Sequence, residues 1–265
     1  MNRFAQVVCI GAAIAASGAG IATAETEVSF ASGANYSSGD YGGTTDTEVF
    51  SAPFAIRAKS GSWSFRASTS YLSITGPADV AEDAGGDSGD GAGGTILRAG
   101  TEQGIGDTNL AVSYRFSHLG GSRAYFEATG RVRLPTGDDD KGLGVGTTDY
   151  GLSGELGINQ RGGGAALELT RRFLGDRTGG DRHDGWQVNT SAWVRVGERA
   201  QLGAFGSWRE ATSDGREDPA QIGGYVSYRI SPQVRVAINA AAGLSDSSAD
   251  YSTGVRLTWQ PGEAD

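Results

Sequence analysis

The chain has 265 residues, of which 44 are glycine, more than twice the usual share. Its 31 acidic and 22 basic residues give a net charge of −9, which argues against a general nucleic-acid binder. One cysteine, two histidines and one methionine offer little material for a disulfide scaffold or a metal cage. After the first two dozen residues, no apolar run approaches the length of a membrane-spanning helix, and heptads are absent.

Residues 1–24 match the pattern of a signal peptide. Arg3 supplies the positive end, the stretch 4–21 is apolar or small, and Ala22-Thr23-Ala24 fits the A-x-A cleavage site. We therefore predict a mature chain that forms a single domain, 25–265. Cys9 lacks the small residue expected just before a lipidated cysteine, which disfavours the alternative of a lipoprotein.

Twelve later segments of about nine to eleven residues alternate apolar and polar side chains, which is the pattern of a β-strand with two different faces. The connections between them alternate in length. Short connections lie near 60–61, 117–122, 160–164, 197–199 and 231–233, and long ones near 37–47, 75–106, 135–148, 175–185, 211–218 and 245–250. This arrangement predicts an all-β protein, a transmembrane antiparallel up-and-down β-barrel of about 12 strands with periplasmic termini and long outer loops.

The alternation alone leaves open whether the apolar face points outward to lipid or inward to the core of a secreted sandwich. Arginine and glutamate in mid-strand positions, the signal peptide and the aromatic residues at strand ends favour the apolar face pointing outward. The periplasmic aromatic group then comprises Trp63, Phe65, Tyr114, Phe116, Tyr228 and Trp259. The outer group comprises Tyr71, Tyr150, Phe173, Trp186, Trp208 and Tyr251.

Several motifs between about Gly104 and Trp259 resemble a known family. They are Gly106-Asp107-Thr108 with Ser113-Tyr114-Arg115-Phe116, Leu134-Pro135-Thr136-Gly137-Asp138 with Lys141-Gly142-Leu143-Gly144 and Asp149-Tyr150-Gly151, Ser227-Tyr228-Arg229-Ile230-Ser231, and Gly243-Leu244-Ser245-Asp246 with Asp250-Tyr251. This set resembles the MetA-pathway phenol-degradation family of outer-membrane transporter-like β-barrels. The resemblance implies a Gram-negative outer-membrane barrel that passes small molecules, aromatic ones included.

With the apolar face outward, eleven arginines and three glutamates occupy inward positions. The candidate pore-lining residues are Arg57, Arg66, Arg115, Glu127, Arg131, Arg133, Glu155, Glu168, Arg172, Arg195, Arg209, Arg229, Arg235 and Arg256. Because the glutamates fall on three successive strands, we expect a cross-strand charge cluster that also includes Arg131 and Arg133. We also expect a basic belt in the periplasmic half, formed by Arg57, Arg66, Arg115, Arg195, Arg229, Arg235 and Arg256.

These charges support two interpretations. Paired arginines and glutamates can fill a polar interior and hold the shape of the barrel, or the arginines can form a surface that favours anions. A twelve-stranded barrel lies between the filled eight-stranded type and the open porins of sixteen strands, so we expect a narrow or partly plugged channel.

Acidic outer loops and two histidines raise further possibilities. One outer loop carries Asp79, Glu82, Asp83, Asp87 and Asp90, and another carries Asp138 to Asp140. These carboxylates could bind Ca²⁺ or Mg²⁺ beside lipopolysaccharide phosphates, or could simply keep the loops solvated.

His118 is expected in a periplasmic turn, and His183 in an outer loop among aspartates. Since no catalytic motif accompanies either histidine, we predict no enzyme activity and no cofactor.

Three classes of function remain. The first is a passive outer-membrane pore or transporter for small molecules, such as aromatic or anionic solutes. The second is a structural or adhesive outer-membrane protein with a plugged lumen, and a surface hydrolase that uses His183 is a distant third. The expected partners are outer-membrane lipid and lipopolysaccharide, the barrel-assembly machinery and a small-molecule solute, with no nucleic acid. The loop 75–106 separates the first two classes, because it closes the lumen only if it folds inward.

Overall fold

The alternating segments form a single antiparallel sheet in the computed structural model, which describes residues 26–41, 43–76, 100–176, 182–213 and 216–262. Two short 3-10 turns, Leu119–Gly121 and Asp139–Lys141, accompany the strands. Within these ranges no helix is both long and apolar enough to cross a membrane. The strands are β1 (Thr26–Gly39), β2 (Thr47–Ser60), β3 (Trp63–Thr75), β4 (Thr101–Ile105), β5 (Thr108–Ser117), β6 (Ala124–Leu134), β7 (Asp149–Gln160), β8 (Gly163–Phe173), β9 (Gly185–Val196), β10 (Ala200–Arg209), β11 (Ala220–Arg229), β12 (Val234–Gly243) and β13 (Tyr251–Trp259).

The sheet closes into a barrel. The first strand pairs with the last, so that Phe30 lies opposite Trp259, and β2 pairs with both β1 and β3. β4 and β5 pair with successive parts of β3, and together they occupy one position in the circumference. The predicted up-and-down barrel of about 12 strands is therefore confirmed, and the pairing of β1 with β13 closes it.

The predicted long connection at 75–106 ends earlier than the sequence pattern indicated, because β4 pairs with the end of β3. Only Ile105 gives this short strand an outward apolar side chain, so the alternation was too weak to reveal it. β4 and β5 are separated by a β-bulge: Tyr71 lies opposite Ile105 but Ser68 lies opposite Asn109. Residues 77–99, which carry the acidic run from Asp79 to Asp90, and the predicted signal peptide, residues 1–24, lie outside the described residues.

Connection lengths divide the barrel into two ends, as predicted. We call one the short-loop end, with connections at 61–62, 118–123, 161–162, 197–199 and 230–233. The other is the long-loop end, with connections at 40–46, 76–100, 135–148, 174–184, 210–219 and 244–250. The first and last described strands begin and finish at the short-loop end.

The outward face of the barrel is apolar. Leu152, Ile238 and Leu156 lie in mid-strand positions and are 61%, 59% and 56% exposed. Such exposure excludes the alternative of a secreted sandwich, in which these side chains would form the core. An apolar surface of this kind is what a transmembrane β-barrel presents to lipid.

Aromatic side chains surround both ends of the barrel, as predicted. At the short-loop end, ring centroids are 4.8 Å apart for Trp63 and Tyr114 and 4.7 Å apart for Tyr114 and Phe116. Phe30 stacks on Trp259 at 5.5 Å and thereby links the first and last strands. Eleven of the twelve predicted aromatic residues are exposed, whereas Tyr114 is half-buried between its two neighbours.

Four aromatic rings on the inward face lie against glycines of the neighbouring strand. Each ring is directly opposite its glycine in the sheet register, and a Cβ atom on the glycine would overlap the ring. Glycine therefore leaves room for an aromatic side chain to lie flat against the barrel wall. The pairs are Tyr125 with Gly157, Trp193 with Gly164, Phe205 with Gly223 and Tyr225 with Gly203.

Replacing Gly203 with alanine is expected to destabilise the barrel by about 1–3 kcal/mol, because the new methyl group displaces the Tyr225 ring. The free energy of unfolding in urea, followed by tryptophan fluorescence in lipid vesicles, measures the effect. Gly130→Ala is the matched control, since its Cβ would find no heavy atom closer than 3.9 Å. Equal stability of the two variants would contradict the proposed packing.

Candidate functional site

Three carboxylates form a row across one wall of the lumen. Glu127 lies directly opposite Glu155, and Glu155 lies opposite Glu168. Like charges in this arrangement repel unless cations separate them. Arg115 Nε lies 2.7 Å from Glu127 Oε2, and Arg131 Nη2 lies 3.0 Å from Glu168 Oε1. Arginines from β5 and β6 therefore hold the carboxylates at the two ends of the row.

The central carboxylate, Glu155, has partners of a different kind. The hydroxyl group of Tyr125 donates a 2.7 Å hydrogen bond to Glu155 Oε1, and Arg115 Nη2 lies 4.0 Å from the same oxygen. The Arg115 guanidinium also lies 4.1 Å from the centre of the Tyr125 ring. These contacts join Glu127 and Glu155 through Arg115 and Tyr125, and the ion pair of Arg131 with Glu168 completes the row.

A second group of charges is buried at the long-loop end. Asp149 Oδ2 lies 3.1 Å from Arg182 Nη2 and 3.7 Å from Arg133 Nη1, and all three side chains are less than 10% exposed. Arg133 thus belongs to this second group rather than to the glutamate cluster predicted for it. Asp149 was quoted above only as part of a family motif, and the ion pair between its carboxylate and Arg182 was not predicted, because one residue begins a strand and the other lies in a loop. Alternation does not specify the direction of a side chain in either position.

The outer loop 135–148 folds into the lumen. Leu143 and Val145 are 1% and 0% exposed. Leu143 belongs to a buried apolar cluster that also contains side chains from β2, β3 and the connection between β1 and β2. The interior at this cluster is therefore apolar, and the interpretation of a polar interior filled by paired charges does not apply there. The other cluster members are Tyr41, Val49, Leu72 and Ile74.

One carboxylate holds this loop in place. Asp107, which lies in the bulge between β4 and β5, accepts backbone N–H hydrogen bonds from Gly137 at 3.0 Å and from Val145 at 2.8 Å. Gly137 and Gly144 pack closely, and a Cβ atom on Gly137 would overlap the Leu143 carbonyl group. Two motifs quoted above, around Gly106-Asp107 and from Leu134 to Gly144, thus form one structural unit.

Described residues line three cavities inside the barrel. The mouth cavity, at the short-loop end, has a volume of about 440 Å³, and the charged cavity beside the glutamate row has about 320 Å³. The large cavity, about 600 Å³, lies against β1, β2 and β9 to β13. Arg57 and Arg115 line both the mouth cavity and the charged cavity, and Arg256 lines both the charged cavity and the large cavity.

The structure places the fourteen candidate residues in three groups. Eight line the charged cavity, namely Arg57, Arg66, Arg115, Glu127, Arg131, Glu155, Glu168 and Arg256. The large cavity is lined by Arg256 together with Arg209 and Arg235. The remaining four line none of the three cavities: Arg133 and Arg172 are buried toward the long-loop end, and Arg195 and Arg229 are exposed near the short-loop end.

The seven arginines of the expected basic belt all lie near the short-loop end. Each is within three residues of a strand terminus at the short-loop end. Two pairs of them are direct cross-strand neighbours, Arg57 with Arg66 and Arg229 with Arg235. Like charges in such positions produce a region of positive potential within this half of the barrel.

His183 and Asp138, which lie in long connections, have ordinary partners. His183 Nδ1 lies 3.2 Å from the carbonyl oxygen of Asp184, and His118 lies in the turn at the short-loop end. Asp138 lies 3.0 Å from Lys141 Nζ, and this contact raises the pKa of Lys141. Among the residues that the structure describes, no group of three His, Cys, Asp or Glu could hold a metal ion.

Solved structures share this fold. The COG4313 outer membrane channel from Pseudomonas putida F1 has a TM-score of 0.64 at 11% identity, with 88% of this chain and 95% of the other covered. For the NanC porin the TM-score is 0.57 at 8% identity, with 86% and 97% covered. For the KdgM porin it is 0.56 at 9% identity, with 87% and 98% covered. The fold is therefore that of an outer-membrane channel barrel.

Sequence comparison gives the family. No curated protein matches the chain. A family model described as "Putative MetA-pathway of phenol degradation" matches residues 78–260, which is more than half of the chain and includes every motif quoted above. The resemblance noted in the sequence is confirmed, and the chain belongs to this family.

Proposed function

We propose that this protein is a passive pore of the cell outer membrane for small molecules. The observation that carries the proposal is the succession of three cavities that share lining residues inside a closed barrel. The apolar outer surface supports a position in lipid. Residues 1–24 would export the chain, and we infer that the barrel-assembly machinery inserts it among outer-membrane lipid and lipopolysaccharide.

The charges of the lumen favour anions. Eleven arginines and three glutamates lie on the inward face among the candidate residues, and each glutamate contacts an arginine. Arginine remains in excess when further inward charges are added, namely Glu27, Lys59, Glu102, Asp107, Asp149 and Arg182. Cationic side chains along a pore attract anions and repel cations, so we infer a mild preference for anions.

A plugged structural or adhesive barrel is the second candidate. The inward loop 135–148 favours it, because Leu143 and its apolar neighbours occupy the lumen at the long-loop end. While the loop is in this position, the same cluster leaves no room for a wide pore. The two candidates therefore differ in whether ions cross the barrel at all.

Electrical recording separates the two candidates. Protein purified from the outer membrane is expected to give discrete current steps in a planar lipid bilayer, with a reversal potential under a salt gradient that shows a preference for anions. The double variant Arg57→Gln and Arg66→Gln is expected to reduce that preference, because both side chains line the charged cavity. Arg161→Gln is the control, since Arg161 lies in an exposed turn.

Two outcomes would reject parts of this proposal. A silent bilayer containing protein that is folded, as judged by heat-modifiable gel mobility, would favour the plugged barrel. Clear steps with a preference for cations would retain the pore and reject the role of the arginines.

A further inference from the structure

The large cavity differs from the charged cavity in its charge balance. Three arginines line it, Arg209, Arg235 and Arg256, and no aspartate or glutamate is among its described lining residues. The charged cavity contains all three glutamates of the row. The large cavity is therefore the part of the described lumen where the field of the wall most strongly favours a bound anion.

Two aromatic rings give the large cavity flat apolar surfaces. Phe205 and Tyr225 lie on neighbouring strands, and each ring rests against a glycine of the strand opposite. Gln201 Nε2 donates a 2.7 Å hydrogen bond to the Tyr225 hydroxyl group and so fixes this ring against the wall. Because both residues line the cavity, the ring face turned away from the wall is available to a solute.

The cationic groups lie next to these rings. Arg235 Nη1 lies 3.4 Å from Ser227 Oγ, and Ser227 follows Tyr225 by two residues on the same face of β11. Arg256 lies one strand beyond, directly opposite Ala237, so that no bulky side chain separates it from this wall. A guanidinium and a ring face within one cavity can contact the two ends of a single small molecule.

Uncharged hydrogen-bonding groups complete the cavity. Asn35 and Asn239 lie on either side of Gly254, where a Cβ atom would meet the oxygen of both side-chain amides. The cavity volume of about 600 Å³ falls within the range of small-molecule sites. Amides, arginines and ring faces together suit a planar anion with an aromatic ring better than a neutral hydrocarbon.

We propose that the large cavity is a binding site for small aromatic carboxylates, with the ring against Phe205 and Tyr225 and the carboxylate at Arg235 and Arg256. This inference rests on the proposed pore function and specifies the class of solute that the pore passes. It requires two separate contributions to binding, one from the negative charge and one from the aromatic ring.

Isothermal titration of the purified protein in detergent micelles tests the site. Four probes separate the contributions: benzoate, cyclohexanecarboxylate with the same charge but no aromatic ring, benzyl alcohol with the ring but no charge, and gluconate as a polyhydroxylated anion. Benzoate is expected to bind most tightly. Arg235→Gln and Tyr225→Leu are each expected to weaken benzoate binding by about tenfold.

Arg161→Gln is the control for the charge. Arg161 lies in an exposed turn and lines none of the three cavities, so this variant is expected to bind benzoate as the parent does. Equal affinity for benzoate and cyclohexanecarboxylate, a preference for gluconate, or unchanged binding by Arg235→Gln would overturn the proposal. Heat-modifiable gel mobility confirms that each variant is folded.

Failure of the site and failure of the pore give different results. Protein that conducts ions in a bilayer but does not bind benzoate retains the proposed pore and loses the binding site. Protein that binds benzoate with the predicted variant pattern, yet stays silent in the bilayer, retains the site and loses the pore.

Discussion

Replacing Asp107 with alanine is expected to release the loop 135–148 from the lumen and to raise the single-channel conductance. The carboxylate accepts two backbone hydrogen bonds from the loop, and hydrogen bonds to a charged group contribute about 1.5–3 kcal/mol each. Losing about 3 kcal/mol raises the released fraction of molecules by about 100-fold. Once the loop leaves, Leu143 no longer occupies the long-loop end of the lumen.

Limited proteolysis provides an independent measurement of loop release. Lys141 lies in the same loop, and trypsin is expected to cleave after it faster in Asp107→Ala than in the parent. Asp140→Ala removes the same charge from an exposed position in the loop, and it serves as the control. Unchanged conductance together with unchanged cleavage would show that Asp107 does not hold the loop.

Replacing Asp149 with asparagine is expected to lower the free energy of unfolding by about 3–5 kcal/mol. The variant retains the size of the side chain and an oxygen for the Gly175 N–H, but it leaves Arg133 and Arg182 buried without their shared carboxylate. Removing one partner from a buried ion pair typically has a cost of this size. Unfolding in urea, followed by heat-modifiable gel mobility in lipid vesicles, measures the change.

An exposed ion pair supplies the comparison for Asp149. Glu27 and Lys59 lie 3.8 Å apart at the short-loop end, with side chains that are 63% and 49% exposed. Glu27→Ala is expected to change the free energy of unfolding by about 1 kcal/mol or less, because solvent screens such pairs. Similar losses for the two variants would show that burial does not determine the contribution of the Asp149 group.

Period-two alternation predicted most of the barrel from the sequence. Along a strand it determines which side chains face lipid, so residues such as Leu152 and Glu155 could be assigned to opposite faces without a structure. The alternation of short and long connections indicated that successive strands run in opposite directions, with the short connections at one end of the barrel and the long ones at the other. The candidate residues in mid-strand, including the three glutamates, could be placed on one wall because neighbouring strands of a meander are adjacent in space.

Loops and strand ends could not be predicted in the same way. The inward position of Leu143 depends on hydrogen bonds from residues 137 and 145 to a carboxylate about 30 residues earlier in the chain. Arg182 reaches Asp149 from a connection that has no periodic pattern. The lumen contains a carboxylate-rich cavity and a cavity without described carboxylates. This division depends on where each side chain points within the lumen, and residue type alone does not specify that direction.

The bulge at Gly106-Asp107 also determines the orientation of the strand that follows it. Before the bulge, even-numbered residues such as Glu102 and Gly104 face the lumen, whereas after it odd-numbered residues such as Arg115 do. Without the extra residue, Phe116 would enter the lumen and Arg115 would face lipid. Since the same dipeptide supplies the carboxylate that fastens the outer loop, an insertion or deletion there would alter the wall and the loop together. Length variation between β3 and β5 is therefore expected in the connection that precedes β4 rather than at Gly106-Asp107.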